Sequence, residues 1–517
     1  MGKKIGIDLG TTYSCVACLN DKGDFEVVLN QEGNNTTPSV VFFDPDGQTV
    51  VVGEQAKPAA MFAIENFVQC IKSRMSDKDY TINIMDTDYS PVAISSIILR
   101  KLRADTEAYL NDSIEGCVIT CPAYFGTYAR SATLEAAKVA GLNVYTIIDE
   151  PIAAALAYAR IKNEDVNKTV LIYDLGGGTF DCTLLKMEFV GDQKNINIIS
   201  SNGDPTIGGM NWEHTLLDYV IEEFCRETGE DEDSMKNDIE CMVELSMSVE
   251  RIKKQLTARE TVKLPVRYNG NKEIVEITRD TFDSLTEHIL EHTIVLTNEM
   301  LSKNNFTLDD FDEIILVGGS TYMPQVEKRL MIEYGKPIFA YRQNELVAMG
   351  AALVANDFDT PTCEKPRVAD ESIGIKVNYG GEIQIVNLVI KGRALSESSN
   401  IVDYLDFSVG YGDDAIKSIS VTLIKNQNTQ RFCNVDNQCT EWACVDFELI
   451  DYIKEDSVIG FKYNMVNQTV SATDTLELVD KNGHTIAQKK VVWKKRAFLG
   501  KKKPIESLFD LSNIKLS

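Results

Sequence analysis

Two short runs of the chain place carboxylates beside glycine and threonine. Asp8 closes the apolar run Ile5-Gly6-Ile7 and opens onto Leu9-Gly10-Thr11-Thr12-Tyr13. Asp174 closes Val170-Leu171-Ile172-Tyr173 and opens onto Leu175-Gly176-Gly177-Gly178-Thr179, with Asp181 just beyond. A turn without Cβ atoms brings backbone N–H groups within reach of phosphate oxygens, and the hydroxyls of Thr11, Thr12 and Thr179 add donors. Acids beside phosphate make chemical sense when a cation neutralises both. Hydrated Mg²⁺ fits, because it takes oxygen ligands and keeps several waters. Neither turn is a Walker A loop, since G-x-x-x-x-G-K-[ST] occurs nowhere in the sequence.

Each turn leads into a second strand, Ser14–Leu19 in one case and Phe180–Leu185 in the other, so each reads as a β-hairpin. Two such hairpins far apart in the chain predict two related lobes facing one another across a cleft. Glu250, Lys253, Lys254 and Thr257 follow the i, i+3, i+4, i+7 pattern and share one helical face. That stripe can bond a ribose and frame a base, although a stripe of this kind taken alone is more often a solvated face. Gly318-Gly319-Ser320 follows the apolar strand 313–317 and lets backbone approach a nucleoside from the other lobe.

The elements that must position these residues read as helices over 92–110, 127–141, 213–228, 238–257 and 345–356, with Gly141 capping the second. Strands interspersed with them predict an α/β domain over residues 1–358. Residues 359–371 are polar and prolyl and read as a linker. Period-two alternation in 418–423, with further strand-like stretches at 382–390, 445–450 and 458–466, predicts an all-β sandwich over 372–490. Residues 491–517 form a short basic tail, and Lys489 to Lys503 holds eight basic residues and no acid.

The 517 residues include 52 basic and 78 acidic ones, a net charge of −26 that repels polyanions and argues against nucleic acid as a partner. No apolar run approaches the ~18 residues of a membrane span. The opening Met1-Gly2-Lys3-Lys4-Ile5 reads as the approach to a strand, not as an export signal, and Gly6 stands where a myristoylation motif wants Ser or Thr. The expectation is a soluble cytoplasmic protein with no membrane partner. Cys15 and Cys18 form a C-x-x-C on a strand, where residues three apart face opposite ways and cannot share a metal. Cys433, Cys439 and Cys444 have no histidine beside them, so the 12 cysteines read as reduced thiols.

Taken in order, these blocks resemble the actin-type ATPase fold, and specifically the DnaK-type, seventy-kilodalton heat-shock chaperone family. The resemblance rests on Ile7–Ser14, Pro122-Ala123-Tyr124-Phe125, Asp149-Glu150-Pro151, Asp174–Asp181 and Val317-Gly318-Gly319-Ser320-Thr321, and spans nearly all of 1–358. Ser372-Ile373-Gly374-Ile375 and Val470-Ser471-Ala472-Thr473-Asp474 resemble the family's peptide-binding sandwich more faintly. The implied architecture is a two-lobed, actin-like (ribonuclease H-like) α/β ATPase domain followed by a small all-β sandwich. The resemblance implies that Gly10, Thr11, Thr12 and Tyr13 contact ATP or ADP phosphates, with Gly176, Gly177, Gly178 and Thr179 as the opposing clamp. It implies that Asp8, Asp174 and Asp181 organise Mg²⁺ and K⁺, that Lys72 reaches the γ-phosphate and the attacking water, and that Glu150 orients that water. Asp174 and Thr179 join Lys72 and Glu150 as the implied catalytic set. Gly208 and Gly209, with Glu250, Lys253, Lys254, Thr257, Gly318, Gly319 and Ser320, would hold the nucleotide. Unfolded or extended polypeptides are the implied clients, with a J-domain co-chaperone and a nucleotide-exchange factor as the partners the family brings.

The sequence departs from that pattern in four places. The apolar interdomain linker of the family is replaced by Glu364-Lys365-Pro366-Arg367, and only about 27 residues follow the β domain, too few for the family's helical lid. The stretch between Lys72 and Pro122 is short, and Met210-Asn211-Trp212 and Tyr322 stand where an acid and an arginine are usual. The principal expectation is an ATP-hydrolysing chaperone. The charged linker keeps open a binding module that holds a dedicated partner without a coupled ATPase cycle. A small-molecule kinase on the same fold is the third reading, disfavoured by the appended β domain.

Overall fold

The computed structural model describes residues 2–162, 167–190 and 193–356. Beyond these it describes 372–379, 382–389, 403–406, 416–426, 432–434, 439–453, 458–464, 475–479, 485–490 and 515–516. The chain divides into two compact units, the first made of Met1–Cys363 together with Glu506–Ser517 and the second of Glu364–Ile505.

Unit 1 opens with β1 (Lys3–Asp8), β2 (Tyr13–Leu19), β3 (Phe25–Val27), β4 (Thr36–Pro38), β5 (Val41–Phe43) and β6 (Thr49–Val52). Then come α1 (Ala56–Ala59), β7 (Phe67–Val68), a small hairpin of β8 (Ile82–Ile84) and β9 (Thr87–Tyr89), and α2 (Pro91–Leu110). Next are β10 (Ile114–Cys121), α3 (Thr127–Val139), β11 (Val144–Asp149) and α4 (Glu150–Lys162). One mixed sheet runs β11-β10-β1-β2-β3, with β4 also paired to β2. The second half repeats the plan with β12 (Lys168–Leu175), β13 (Phe180–Val190) and β14 (Gln193–Asp204), followed by α5 (Gly209–Thr228), α6 (Glu232–Lys236) and α7 (Ile239–Leu256). It continues through β15 (Thr261–Tyr268), β16 (Asn271–Thr278), α8 (Arg279–Lys303), β17 (Glu313–Val317), α9 (Pro324–Tyr334), β18 (Ile338–Phe339) and α10 (Leu346–Asn356). Its main sheet has the order β14-β13-β12-β17-β18.

Strands covered on both faces read as continuous apolar runs, and β12 shows why. Leu171, Tyr173 and Leu175 enter one core with Trp212, Phe224 and Phe311. Val170 and Ile172, alternating with them, enter a second core with the alanines of α4 and α10 and with Cys15, Ala17 and Val118 of the other sheet. This second core joins the two lobes. Its helices approach so closely that a Cβ on Gly350 would lie 1.8 Å from the Ala153 carbonyl oxygen, and one on Gly6 would lie 2.1 Å from the Ala352 nitrogen. Cys15 and Cys18 fall in different cores, as their spacing on a strand requires.

Local signals set the helix ends. Ser90 caps α2 by accepting from the Ala93 N–H (3.2 Å), with Pro91 in the first turn. Asp238 caps α7 at the Cys241 N–H (3.0 Å). The helix expected over 213–228 begins earlier, at Gly209, because the Asn211 side chain accepts from the Gly208 N–H (2.9 Å) and draws the glycine pair into the first turn. Among the described residues, no helix is long and apolar enough to cross a membrane.

The described strands of unit 2 form two antiparallel sheets. They are β19 (Ser372–Tyr379), β20 (Glu382–Val389), β21 (Asp403–Asp406), β22 (Ile416–Asn426), β23 (Phe432–Asn434), β24 (Thr440–Ile453), β25 (Val458–Asn464), β26 (Thr475–Val479) and β27 (Thr485–Lys490). Their orders are β23-β20-β19-β22-β24 and β21-β25-β26-β27. The linker residues 359–371 and the run Val470–Asp474 lie outside the described residues, as does the tail from 491 to 514. The chain's last described strand, β28 (Lys515–Leu516), belongs to unit 1, where it completes a small sheet of order β28-β6-β5-β7. A sequence reading that treats 491–517 as one separate tail does not anticipate this, because strand pairing so distant in sequence leaves no mark in local charge.

Candidate functional site

The two hairpin turns meet across the cleft. In the first, a Cβ on Gly10 would fall 1.9 Å from the Tyr13 carbonyl oxygen, so the turn admits only glycine there. In the second, the Gly176 carbonyl accepts from the Ser320 hydroxyl (2.8 Å) and the Gly209 N–H (3.0 Å), and the Gly177 carbonyl accepts from the Met210 N–H (2.8 Å). No peptide bond among the described residues is cis. The N–H groups of Gly177 and Gly178 therefore point away from those partners. A Cβ on Gly177 would lie 2.2 Å from Thr12 Oγ1, and one on Gly178 would lie 3.1 Å from Thr11 Cγ2. The threonines of one lobe thus sit against the glycines of the other.

Between them lies a cavity of about 450 Å³. Asp8, Gly10, Thr11, Thr12, Tyr13, Lys72, Glu150, Asp174, Gly176, Gly177 and Thr179 line one end. Glu250, Lys253, Lys254, Thr257, Gly318, Gly319 and Ser320 line the other. Gly178, Gly208, Gly209 and Asp181 are not in the wall. Gly178 packs on Thr11, and Gly208 backs the glycine turn so tightly that a Cβ would fall 2.4 Å from the Gly178 nitrogen. Gly209 is pressed between Ser320 and Lys253. Asp181 stands directly across the ladder from Asp174.

Lys72 is brought in by a 3₁₀ turn, Ile71–Arg74, that follows β7 after Cys70 takes a left-handed conformation (φ 56°). Its ammonium pairs with Glu150 Oε1 at 2.6 Å, with both side chains nearly closed off from solvent. Glu150 is the first residue of α4, and the preceding Asp149 is fixed by Arg130. Asp8 accepts from the Thr120 hydroxyl (3.0 Å). Burial pushes the Asp8 carboxyl up to about 6, with the Glu150 charge adding and Lys72 opposing. Burial, again with Glu150 adding, pushes Asp181 up to about 8. Asp174 is driven up in the same way by burial, Glu150, Asp181 and Asp8. Burial alone would lower the Lys72 pKa, but Glu150 and Asp8 outweigh it and raise it.

Several carboxylates around one lysine are short of positive charge, which fits a cation. Among the described residues no three acids, cysteines or histidines come together closely enough to ligate one ion directly. The donor set therefore fits Mg²⁺ that keeps its waters and takes further oxygens from phosphate.

At the other end, Glu250 hydrogen-bonds the Tyr13 hydroxyl and pairs with Lys57 (2.7 Å) and Lys254 (2.8 Å). Both lysines also donate to the Tyr13 oxygen, at 2.8 and 2.9 Å. Against the cost of burial, which raises it, the two ammonium groups hold the Glu250 carboxyl down to about 2. The Tyr13 hydroxyl is thus committed to this cluster, which leaves its backbone N–H for the phosphate contact that the sequence reading expects of Tyr13. Lys253 donates to the Gly209 carbonyl (3.1 Å) and pairs with Glu213 (2.6 Å). Gly318 holds φ +85°, where a Cβ would strike the Leu175 carbonyl at 2.3 Å.

Sequence reasoning missed Lys57, Glu213, Thr36, Gln69, Gln343 and Asn344, all in the cavity wall. None lies in a glycine turn or a repeated motif, so only proximity in the fold marks them. Met210 and Tyr322 also line the cavity, and the Tyr322 hydroxyl donates to Asn344 Oδ1 (3.0 Å).

Two sheets that share a core and each present a strand–aspartate–turn–strand unit to one cleft define a mixed α/β, actin-like nucleotide-binding fold. The family model described as Hsp70 protein matches residues 4–81 and 74–360. The chaperone protein DnaK of two Halobacterium salinarum strains is 38% identical over 358 residues, covering 68% of this chain and 55% of the relative. The chain belongs to the Hsp70 family. It spans about half the length of the curated relatives it matches.

Proposed function

We propose that the protein binds and hydrolyses ATP in unit 1 and holds unfolded or extended polypeptide segments on the β-strands of unit 2, acting as a chaperone in the cytoplasm. The observation that carries the enzymatic part is the Lys72–Glu150 pair, 2.6 Å apart, which lines the same cavity as the two turns. The similarity to DnaK chaperones supports the client-binding part. Unit 2 would bind through strand addition and side-chain pockets on a sandwich of its two sheets.

In this reading the N–H groups of Gly177 and Gly178 and the hydroxyls of Thr11, Thr12 and Thr179 receive the phosphates. Lys72 faces the γ-phosphate and stabilises charge on its oxygens, while the Glu150 carboxylate orients the attacking water. Such chemistry needs positioning and charge stabilisation, not a covalent intermediate. Asp8, Asp174 and Asp181 would hold Mg²⁺ through water, and K⁺ beside it, supplying the positive charge that offsets the phosphates. Glu250, Lys253, Lys254 and Thr257 frame the nucleoside opposite Gly318, Gly319 and Ser320, with Gly208 and Gly209 bracing the turn from behind. A J-domain protein and a nucleotide-exchange factor would act on this cycle.

The test is the affinity of a labelled unfolded peptide under saturating ATP and then ADP. Linkage makes any difference reciprocal, and tenfold corresponds to about 1.4 kcal/mol of coupling. A ratio of ten or more supports the coupled chaperone. Equal affinities would instead favour a binding module whose ATPase unit does not drive release, the reading that the charged Glu364-Lys365-Pro366-Arg367 keeps open.

A further inference from the structure

The strand β6 has two edges, and its hydrogen bonds show which groups lie on each. On the inner edge the Thr49 carbonyl accepts from the Asp44 N–H (3.0 Å), and the Gly53 N–H donates to the Val40 carbonyl (3.1 Å), alongside β5. Successive strand residues turn their peptide groups to opposite sides. The N–H and C=O groups of Val50 and Val52 therefore face the outer edge. A bare edge is a template for another extended segment, and natural sheets guard such edges with charge, proline or bulges. The sequence of β6, Thr-Val-Val-Val, has none of these and is strongly β-forming. What meets the edge is the chain's own end: β28 runs parallel to β6, with Lys515 opposite Thr49 and Leu516 opposite Val50. Parallel neighbours need a long connection, and here the whole of unit 2 lies between the two strands in sequence.

We propose that the outer edge of β6 is a strand-docking site whose occupant is the C-terminal segment of the same chain, so that unit 2 is joined to unit 1 at both of its ends. Among the described residues Lys515 and Leu516 pair with β6, and the tether through unit 2 keeps the segment at high effective concentration. The sheet so completed is the one that leads from β6 into Lys57 and from β7 into Lys72. The docking does not depend on the function proposed above.

Amide hydrogen exchange on the full chain tests it, with Val50 as the reporter and Val51, which faces β5, as the internal control. Removing residues 513–517 should speed exchange at Val50 by about tenfold or more while leaving Val51 unchanged. Lys515→Pro, which removes a backbone N–H on the side that faces β6 and keeps the length, should act in the same direction, since in a parallel pair the residue opposite Val50 turns its own peptide groups away. A synthetic peptide of residues 506–517 added to the shortened protein should restore protection. Unchanged exchange at Val50 in both variants would overturn the proposal. Protection that rises with protein concentration, together with a doubled mass, would overturn the cis arrangement and assign the strand to a second copy.

Discussion

Replacing Lys72 by alanine removes the ammonium that faces Glu150 at 2.6 Å and offsets part of the charge of Asp8 and Asp174. Two consequences follow and can be separated. The first is catalytic. Losing one preorganised charge-stabilising group of this kind lowers turnover by about 10²–10³, or ~2.7–4 kcal/mol of barrier. The second is structural. Breaking an ion pair this well shielded leaves an uncompensated carboxylate, at a cost of up to ~3–5 kcal/mol unless the Glu150 side chain takes up a proton. Lys72 contacts neither Glu250, Lys253 nor the glycine turn that would hold the rest of the nucleotide, so binding should persist. Single-turnover hydrolysis of radiolabelled ATP measures the first effect, and thermal unfolding without nucleotide measures the second. Titration with a fluorescent ATP analogue provides the binding control. The double variant Lys72→Ala, Glu150→Gln should recover most of the lost stability and none of the turnover. A Lys72→Ala protein that hydrolyses ATP at the parent rate would refute the assignment of Lys72 to the reaction.

Glu250→Gln should destabilise the protein above about pH 4.5. The folded pKa of Glu250 lies below its unfolded value, so the stabilisation is present above the latter and is lost as pH falls towards about 2. The full gap is at most about 3 kcal/mol, since each tenfold change in proton affinity is worth ~1.4 kcal/mol, and urea titrations of both proteins from pH 3 to 7 should show it closing on the acid side. Gly177→Ala places a Cβ 2.2 Å from Thr12 Oγ1 and should push the two turns apart. Calorimetry should then show ATP affinity down by at least about tenfold, with stability lowered by about 1–3 kcal/mol as the turns are forced apart. Gly350→Ala drives a methyl into the Ala153 backbone in the core that joins the lobes, so it should lower stability by about 3 kcal/mol or more, read by urea unfolding. An unaltered midpoint would contradict the packing described for α4 and α10.

Local chemistry made several features legible in the amino-acid order. Glycine turns flanked by strands and acids announce themselves because only glycine tolerates the close approaches at Gly10 and Gly177. The stripe Glu250, Lys253, Lys254 and Thr257 follows from helical period alone, and all four residues reach one cavity wall. The placement of Cys15 and Cys18 in different cores follows from strand alternation. Tertiary structure decided the rest, because it depends on which distant surfaces meet. No local rule pairs Lys57 with Glu250 or commits the Tyr13 hydroxyl to that pair. Nor does any local rule pack Gly208 and Gly209 against the second glycine turn, Ser320 and Lys253. The upward shifts of Asp8, Asp174 and Asp181 likewise arise only when the fold closes over them and brings Glu150 near. Residue types and spacing determined which groups can do the chemistry. Burial and charge, set by the packing of the two lobes, decided the protonation balance of those groups in the folded chain.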